Sequence, residues 1–310
     1  MPMPPEYSKS TGLSQDNRLS QPAEPAALDH ACLIVSGPER RGIVSAVGSL
    51  VARHEGNILK SDQFSSRAEE PTFYQRLVFE IENLNEALPG LETDLASTLP
   101  ELGLAWELVD QAVPKRMIVF ASKSDHCLLE LLWRHERGEL NVEIPMVISN
   151  HRDVEEEVGF FGIPFHHVPA KGADKSEAEM TILKLIEGQA DFLVLARYMQ
   201  ILSPEFLEAV KVPIVNIHHS FLPAFIGAAP YRKAWERGVK LIGATAHYVT
   251  PELDAGPIIE QDVASIDHTF DHVDLQKRGA YVERAVLSRA VEAHAEDRVI
   301  RHGSHTIVFR

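Results

Sequence analysis

Unbroken apolar runs in the second half of the chain are the feature that most constrains its fold. Each run is short and is followed by a segment with helical spacing or by a polar loop. Such runs are typical of parallel strands covered on both faces, because neither side of the strand meets water. They predict an open, doubly wound, mostly parallel α/β sheet over residues 113–310, with a terminal helix near 273–293. The predicted strands are 116–121 (RMIVFA), 145–149 (PMVIS), 165–168 (FHHV), 192–196 (FLVLA) and 214–217 (IVNI).

The N-terminal third of the chain has a different rhythm. Ile43, Val47 and Leu50 recur at helical spacing after a short apolar run, which predicts a strand followed by a helix. In residues 73–81 the side chains alternate between two faces with period two, which predicts another strand. With a second helical stripe and two further strands, they predict the order β-α-β-β-α-β over residues 30–112, the ferredoxin-like motif. Residues 1–29 are rich in Pro, Ser and Gln and predict a disordered tail, because this composition buries too little apolar surface.

The charge of the chain argues against several classes of protein. There are 30 Lys and Arg residues against 45 Asp and Glu residues, a formal net charge of −15. No basic block stands out, so the sequence predicts neither nucleic-acid nor membrane binding. No apolar run approaches the roughly 20 residues that span a bilayer, and the N-terminus lacks the apolar centre of a signal peptide. We therefore expect a cytoplasmic protein, with Cys32 and Cys127 as buried small apolar residues.

The segment 215–223 (VNIHHSFLP) carries the densest group of candidate catalytic residues. Asn216 and His218 stand two residues apart at the end of a predicted parallel strand, so both point to the same side if the strand continues that far. An Asn at a strand end can instead make a local turn, and a single His can be structural. Because ligands bind beyond the carboxyl ends of such strands, the pair together favours a catalytic role.

A second candidate lies in the segment 243–259 (GATAHYVTPELDAGPII). Asp254 stands in a turn before Gly256 and, taken alone, is explained by the turn. If it approaches His218, its carboxylate stabilises the imidazolium, and the cationic His and the Asn216 amide become a donor pair for a tetrahedral oxyanion. The same carboxylate can take a proton from water and pass one to a leaving nitrogen. This pattern indicates acyl transfer or hydrolysis without a covalent enzyme intermediate.

A metal site is the alternative interpretation of these side chains. His218, His219, His247 and Asp254 offer enough ligands for zinc. Adjacent histidines, however, diverge on an extended backbone, and neither an HExxH segment nor a Cys pair accompanies them. We therefore expect no metal.

Three segments in succession, NIHHSFLP, IGAAPY and IGATAHYVTPELDAGPIIEQDV, resemble a known family. They are similar to the 10-formyltetrahydrofolate-dependent formyltransferases, and most of all to the members that hydrolyse the formyl group. The resemblance runs from about residue 30 to the C-terminus and implies the formyltransferase fold, a folate substrate and no prosthetic group. It implies that Asn216, His218 and Asp254 are catalytic. The residues that it places at the folate site are Met199, Gln200, Ile201, Leu202, Ser220, His247, Tyr248, Val249 and Leu253.

The N-terminal region resembles an ACT domain, a regulatory module of ferredoxin-like fold. ACT domains commonly pair across subunits and bind small amino acids, so the resemblance implies a homo-oligomer and an amino-acid effector near Gly37, Gly42 and Ile43. A glycine there lets an effector approach the backbone closely. The alternative is that Gly42 only permits close packing where a helix begins.

The sequence favours water as the acceptor of the formyl group. The related transformylases cradle a nucleotide phosphate in a Gly-rich loop, whereas the corresponding segment 121–128 (ASKSDHCL) has no glycine. The acidic charge argues against a tRNA acceptor, and the N-terminal domain resembles that of the hydrolytic members. The resemblance to those members also implies a role in one-carbon balance and purine synthesis. Two alternatives stay open: transfer to an amine acceptor, and a catalytically idle folate sensor. Gln200 stands where many members carry Arg, so we expect an altered folate affinity.

Overall fold

The computed structural model describes residues 28–169, 175–224 and 230–310, which form two domains. The tail predicted for residues 1–29 lies outside the described residues, except for 28 and 29, which begin the first strand. Most of the segment 226–231 (IGAAPY) lies outside them as well. All three predicted catalytic residues lie within the described part of the chain.

The first domain contains four strands, two helices and a short 3-10 turn at Pro100–Leu102. Its strands pair antiparallel in the order β2-β3-β1-β4, which confirms the predicted ferredoxin-like topology. The elements are β1 (Leu28–Pro38), α1 (Ile43–Arg53), β2 (Asn57–Ser65), β3 (Thr72–Glu82), α2 (Leu84–Thr98) and β4 (Ala105–Asp110).

One face of this sheet packs on the two helices. Val47 of α1 and Leu91 of α2 are completely buried against Leu33 and Phe79 of the central strands. Alternate strand residues share one face and helical residues at i, i+3 and i+4 share another, so this core follows directly from the apolar spacing in the sequence.

The second domain is an eight-stranded sheet with helices on both faces and a C-terminal hairpin. The sheet order is β12-β11-β10-β9-β5-β7-β8, with β6 paired to β5. The elements are β5 (Lys115–Ala121), α3 (His126–Glu136), β6 (Val142–Glu143), β7 (Val147–Ser149), α4 (Glu155–Phe160), β8 (Phe165–His167), α5 (Lys175–Ile186), β9 (Phe192–Leu195), α6 (Pro204–Val210), β10 (Ile214–His218), α7 (Pro230–Glu236), β11 (Leu241–Tyr248), β12 (Ile258–Ser265), α8 (His272–Ala295), β13 (Val299–His302) and β14 (His305–Val308).

The direction of the strands confirms a mostly parallel sheet. Strands β10, β9, β5, β7 and β8, which are neighbours in this order, pair in parallel. At one edge of the sheet, β11 pairs antiparallel with both β10 and β12. Separate cores lie on the two faces, one with α3 and α8 and the other with α5 and α6, as a doubly wound sheet requires. After β5, the chain first adds strands on one side of it, β7 and then β8, and later adds strands on its other side, beginning with β9. The carboxyl ends of β5 and β9 are therefore the topological switch point.

A buried arginine of the first domain joins the two domains by binding the residues that follow α8. Arg76 of β3 is 4% exposed, and it donates from Nε to the carbonyl oxygen of Asp297 (2.9 Å) and from Nη2 to that of Glu296 (2.7 Å). Tyr74, on the same face of β3, hydrogen-bonds His302 of β13. The sheet face of the first domain that is turned away from its helices is therefore fixed to the C-terminal elements of the second domain.

Within the described ranges, no helix combines the length and the apolar character needed to cross a bilayer.

Candidate active site

Two neighbouring strands place three polar side chains side by side. Asn216 and His218 are residues of β10, which continues to His218, so they share one face as predicted. In the antiparallel pairing with β11, Asn216 lies opposite His247 and His218 opposite Thr245. Residues directly opposite each other across two strands point to the same face, so the amide of Asn216 and the ring of His247 meet.

A tight loop after β11 brings Asp254 to the same place. The amide of Tyr248 donates to the carbonyl oxygen of Pro257 (2.9 Å), which closes the loop. A Cβ on Gly256 would lie 1.7 Å from the carbonyl oxygen of Tyr248, so only glycine fits this return. Asp254 itself has φ 57°, a left-handed conformation that Asp tolerates better than most residues.

Asp254 reaches His218, as the sequence analysis required. His218 Nδ1 lies 3.3 Å from Asp254 Oδ1, and both side chains are about nine-tenths buried. Since an ionised carboxylate only accepts hydrogen bonds, Nδ1 carries the proton in this contact. The contact with His218 holds the pKa of the Asp254 carboxyl below its usual value, against the opposing effect of burial. His218 Nε2 is buried without a hydrogen-bond partner in the described structure, which leaves it available to a ligand.

His247 orients the amide of Asn216. Its Nδ1 lies 3.0 Å from the carbonyl oxygen of Tyr248, which can only accept, so Nδ1 carries the proton. Its Nε2 is then the acceptor for Asn216 Nδ2 at 3.1 Å. Burial lowers the pKa of His247, in keeping with this neutral ring. One amide hydrogen of Asn216 is thus held by His247, and the other remains for a ligand.

The three predicted catalytic residues line one cavity of about 320 Å³. Its walls come mainly from the segment after β9 and the loop after β11, which are the segments expected to hold folate. Seven of the nine residues expected at the folate site line this cavity, namely Met199, Gln200, Ile201, Leu202, His247, Val249 and Leu253.

The other two residues expected at the folate site lie elsewhere. Tyr248 follows His247 on β11, so it points to the opposite face of the sheet, where its hydroxyl hydrogen-bonds His294 Nδ1 (2.8 Å). Ser220 is buried beside β11 and donates to the carbonyl oxygen of Ala224 (2.8 Å). Neither side chain lines the cavity, because residues adjacent to site residues point to the opposite face of a strand or into the interior. Their assignment to the folate site stays a prediction.

The sequence analysis missed a buried polar cluster beside the cavity. Glu283 of α8 is 1% exposed and receives hydrogen bonds from His126 Nε2 (2.9 Å) and the Tyr231 hydroxyl. Arg197 Nε lies 3.3 Å from the same carboxylate. Although burial opposes ionisation, the His126 hydrogen bond and the Arg197 charge lower the pKa of Glu283 to about 2. The four residues are far apart in sequence; the one local signal is a Glu on the buried side of an amphipathic helix.

Among the described residues, His126 and Glu283 of this cluster, together with the adjacent Cys127, form a group of side chains that could bind a metal ion. The carboxylate of Glu283 is already engaged by the Arg197 guanidinium and by two hydrogen-bond donors. Burial raises the pKa of the Cys127 thiol well above its usual value, so the thiol stays protonated. This donor set fits an internal ion pair better than a metal centre.

The residues predicted to meet an effector have different surroundings. A Cβ on Gly37 would lie 2.6 Å from the carbonyl oxygen of Gly103, whereas a Cβ on Gly42 would meet nothing within 4 Å. Gly42 has φ 91° at the start of α1, so the backbone conformation requires it, and the close-packing alternative is wrong. Ile43 is 2% exposed in the core of the first domain.

Comparison with known proteins identifies the family. Residues 115–291 match the formyl transferase family. A formyltetrahydrofolate deformylase of Mycobacterium tuberculosis is 54% identical over 278 residues, which are 89% of this chain and 90% of that protein. The chain belongs to the formyl transferase family.

Two crystal structures resemble this chain to different extents. A formyltetrahydrofolate deformylase from Pseudomonas syringae pv. tomato has a TM-score of 0.87 and 41% identity, and the match covers 91% of this chain and 95% of that one. Glycinamide ribonucleotide transformylase 1 from Symbiobacterium toebii has a TM-score of 0.60 and 29% identity, with coverage of 64% and 95%. Residues 115–310 are less than two thirds of the chain, so the match to the deformylase structure, which covers 91%, extends into the first domain.

Proposed function

We propose that this chain hydrolyses 10-formyltetrahydrofolate to formate and tetrahydrofolate. One observation carries the proposal: His218 and Asp254 are paired at 3.3 Å beside Asn216. The chain that holds them matches proteins named formyltetrahydrofolate deformylase over about nine-tenths of its length. Formyl hydrolysis needs a group that takes a proton from water and donors that hold an oxyanion, and these three side chains supply both.

The reaction follows from the available atoms of the three residues. Asp254 accepts a proton from a water molecule as its oxygen attacks the formyl carbon. The free amide hydrogen of Asn216 and a proton on His218 Nε2 stabilise the oxyanion that develops on the formyl oxygen. The tetrahedral intermediate collapses, the bond from carbon to N10 breaks, and the proton passes from Asp254 to N10. Formic acid then loses its own proton to solvent as formate.

The walls of the cavity suit the flat ring system of a folate. Ile201 and Leu202 on one side and Val249 and Leu253 on the other are apolar, and all four line the cavity that ends at Asn216. We place the pterin between these two segments, since ligand pockets are mainly apolar with a few convergent polar groups. Gln200, in the same wall, carries no charge, so a charged contact with the folate is absent at this position.

The first domain is the candidate for regulation. Its ferredoxin-like sheet is the frame of the ACT domain that the sequence resembles, and we propose that it binds an amino-acid effector near Gly37, Gly42 and Ile43. We also propose a homo-oligomer. Strand β2 supports this, because it is an edge strand with exposed Ile58, Leu59 and Phe64.

The experiment that tests the function is formate release from 10-formyltetrahydrofolate by the purified protein, with a chelator and without an added amine. We expect catalytic turnover. No release, with rapid transfer once an amine is added, would establish a transformylase. Folate binding without turnover under either condition would establish a folate sensor.

A further inference from the structure

The place where this fold usually opens for a ligand is occupied by charged side chains. In open α/β sheets, ligands bind at the topological switch point, beyond the carboxyl ends of the two strands on either side. Here these strands are β5 and β9. The helix that follows β5 begins with His126, and Arg197 follows β9 after one residue. Both side chains converge on Glu283 of α8.

These residues, with Tyr231 of α7, form what we call the Arg197 cluster: Arg197, Glu283, His126 and Tyr231. Tyr231 reaches Glu283 only because α8 carries a glycine one turn earlier, since a Cβ on Gly279 would lie 2.0 Å from the Tyr231 hydroxyl. The four residues thus come from four separate segments of the chain. Gly279 leaves α8 without a side chain at the point where Tyr231 packs on it.

The Arg197 cluster meets the catalytic cavity through Arg197, while Glu283, His126 and Tyr231 lie behind it. Arg197 and His219 line the same cavity as the three catalytic residues. The His219 ring bridges the two sites, with its centroid 5.4 Å from that of His218 and 6.0 Å from that of Tyr231. Burial, together with the charge of Arg197, lowers the pKa of His219 to about 4, so this wall presents a neutral ring beside the guanidinium.

Arg197 has features of a residue kept for a role beyond folding. Its φ is 61°, a left-handed conformation that a long side chain adopts at a cost and that glycine adopts freely. Its side chain is 14% exposed, and its Nη1 is buried without a hydrogen-bond partner in the described structure. Its ion pair with Glu283 offsets the strain, but the unpartnered Nη1 shows that this pair does not use all the donors of the guanidinium.

We propose that the Arg197 cluster closes the acceptor side of the catalytic cleft, so that water reaches the formyl carbon and an amine substrate does not. The proposal rests on the proposed hydrolytic function and deepens it, because it names the residues that decide between hydrolysis and transfer. The structure from Symbiobacterium toebii, a transformylase by name, matches 64% of this chain with a TM-score of 0.60. One fold thus occurs in proteins named for both reactions, and in this chain the Arg197 cluster occupies the crevice.

Both reactions use the same bond changes at the formyl carbon. In hydrolysis, the oxygen of water forms the new bond; in transfer, the nitrogen of a neutral primary amine forms it and loses a proton to Asp254. In both cases the bond from carbon to N10 breaks and N10 takes up the proton. The ratio of the two products therefore compares the access of amine and of water to the formyl carbon, and it does not depend on the overall rate of turnover.

The test is the partition of formyl groups between water and an added amine in Arg197→Gly. Glycine fits φ 61° and removes the whole guanidinium, so the backbone of this variant is relieved rather than strained. The probe is glycinamide at pH 8, with 10-formyltetrahydrofolate as donor and with formylglycinamide and formate both measured. We expect a product ratio of formylglycinamide to formate about tenfold or more above that of the wild type, the scale on which pocket shape changes discrimination.

A matched control separates this effect from a general loss of stability. Arg134→Ala removes a half-buried arginine that binds Ser288 and Glu292 of the same helix α8 but does not line the cleft. We expect it to lower the melting temperature and to keep the wild-type product ratio. Glu283→Gln provides the second variant: it releases Arg197 while keeping the shape of the side chain, and we expect its ratio to rise as well.

The outcomes are distinct from those that test the function. If Arg197→Gly and Glu283→Gln release formate with the wild-type product ratio, the proposal is overturned and the hydrolase assignment stands. If the Arg134→Ala ratio rises equally, the effect comes from loosened packing and the proposal is again overturned. If the wild type releases no formate, the proposed function itself fails.

Discussion

At the scale of single residues, the proposed mechanism depends on the different partners of two histidines on one pair of strands. His218 faces a carboxylate and keeps Nε2 free, whereas His247 faces a backbone carbonyl and accepts from Asn216. In the proposed mechanism, His218 stabilises the oxyanion, and His247 holds the Asn216 amide that donates to the same oxyanion. Spacing in the sequence predicted that Asn216 and His218 share a face, but not the tautomer of His247, which depends on the carbonyl of Tyr248.

Replacing Asp254 by Asn tests the proton acceptor. An amide cannot take a proton from water at neutral pH, so we expect the turnover number of Asp254→Asn to fall by about a thousandfold, within the range of general-base catalysis. Tetrahydrofolate should still bind, because the apolar walls are intact; a fluorescence titration measures this. Glu252→Gln, an exposed change in the same loop, should leave turnover unchanged. Turnover of Asp254→Asn within a few-fold of the wild type would exclude Asp254 as the base.

A largely buried histidine, His294, makes stability fall in mild acid. His294 contacts the rings of Phe192 and Tyr248, and burial, with the charges of Lys115 and Arg301, lowers its pKa to about 3. The unfolded chain, with an ordinary histidine, therefore binds a proton below pH 6.5 that the folded chain does not bind. Stability is present above pH 6.5 and is lost as the pH falls, by about 2 kcal/mol from this residue between pH 7 and 5.

Urea denaturation at pH 7 and pH 5 measures this loss. We expect His294→Phe to lose less stability between the two pH values than the wild type, because its ring cannot take up the proton in the unfolded chain. His268→Phe, at an exposed position, should follow the wild type. Equal losses in the wild type and in His294→Phe would show that His294 is not the responsible group.

At the scale of elements, helix α8 supports both the site and the join between the domains. Its N-terminus is fixed by a capping box at Asp271, its middle carries Gly279 and Glu283, and its last turn carries His294. The continuous apolar runs of β5 and β9 made the parallel sheet predictable. The sequence analysis did not single out β12 or the hairpin of β13 and β14, because edge strands and short hairpins lack a continuous apolar run. The Arg197 cluster was unpredictable because only the tertiary fold brings its residues together.

Gly279→Ala tests how closely α7 packs on α8. The new methyl group would lie 2.0 Å from the Tyr231 hydroxyl and displace it from Glu283. We expect a net loss of about 2 kcal/mol in the free energy of unfolding, although alanine is the better helix former. Gly159→Ala is the matched control, since its Cβ meets nothing within 4 Å in α4; it should be neutral or slightly stabilising. Similar values for the two variants, from chemical denaturation, would contradict the packing.

At the scale of the whole molecule, the first domain is attached where α8 ends. Arg76 donates to the carbonyl oxygens of Glu296 and Asp297, and Lys115 contacts Asp297 and the carbonyl oxygen of His294. His294 in turn bonds Tyr248, the neighbour of His247. The two separate sheets were predictable because the pattern of apolar residues changes near residue 112. The attachment between the domains was not predictable, because the sequence pattern does not distinguish Arg76 from an ordinary solvent-facing residue of a strand.

Arg76→Met tests this attachment. It leaves two carbonyl groups and Asp62 without their cation, so we expect a loss of about 3 kcal/mol in the free energy of unfolding. Limited proteolysis should also cut faster between the domains, in residues 111–114. Arg53→Met removes an exposed pair with Asp94 in the same domain and should cost little. If Arg76→Met is as stable and as resistant as Arg53→Met, the domains are held together by other contacts.

The measurement that tests the central claim most directly is turnover of 10-formyltetrahydrofolate in water enriched in oxygen-18. The account predicts that formate and tetrahydrofolate appear in equal amounts, that each formate carries one oxygen from the solvent, and that no amine is needed. Formate without solvent oxygen, or no formate until an amine is supplied, would contradict it.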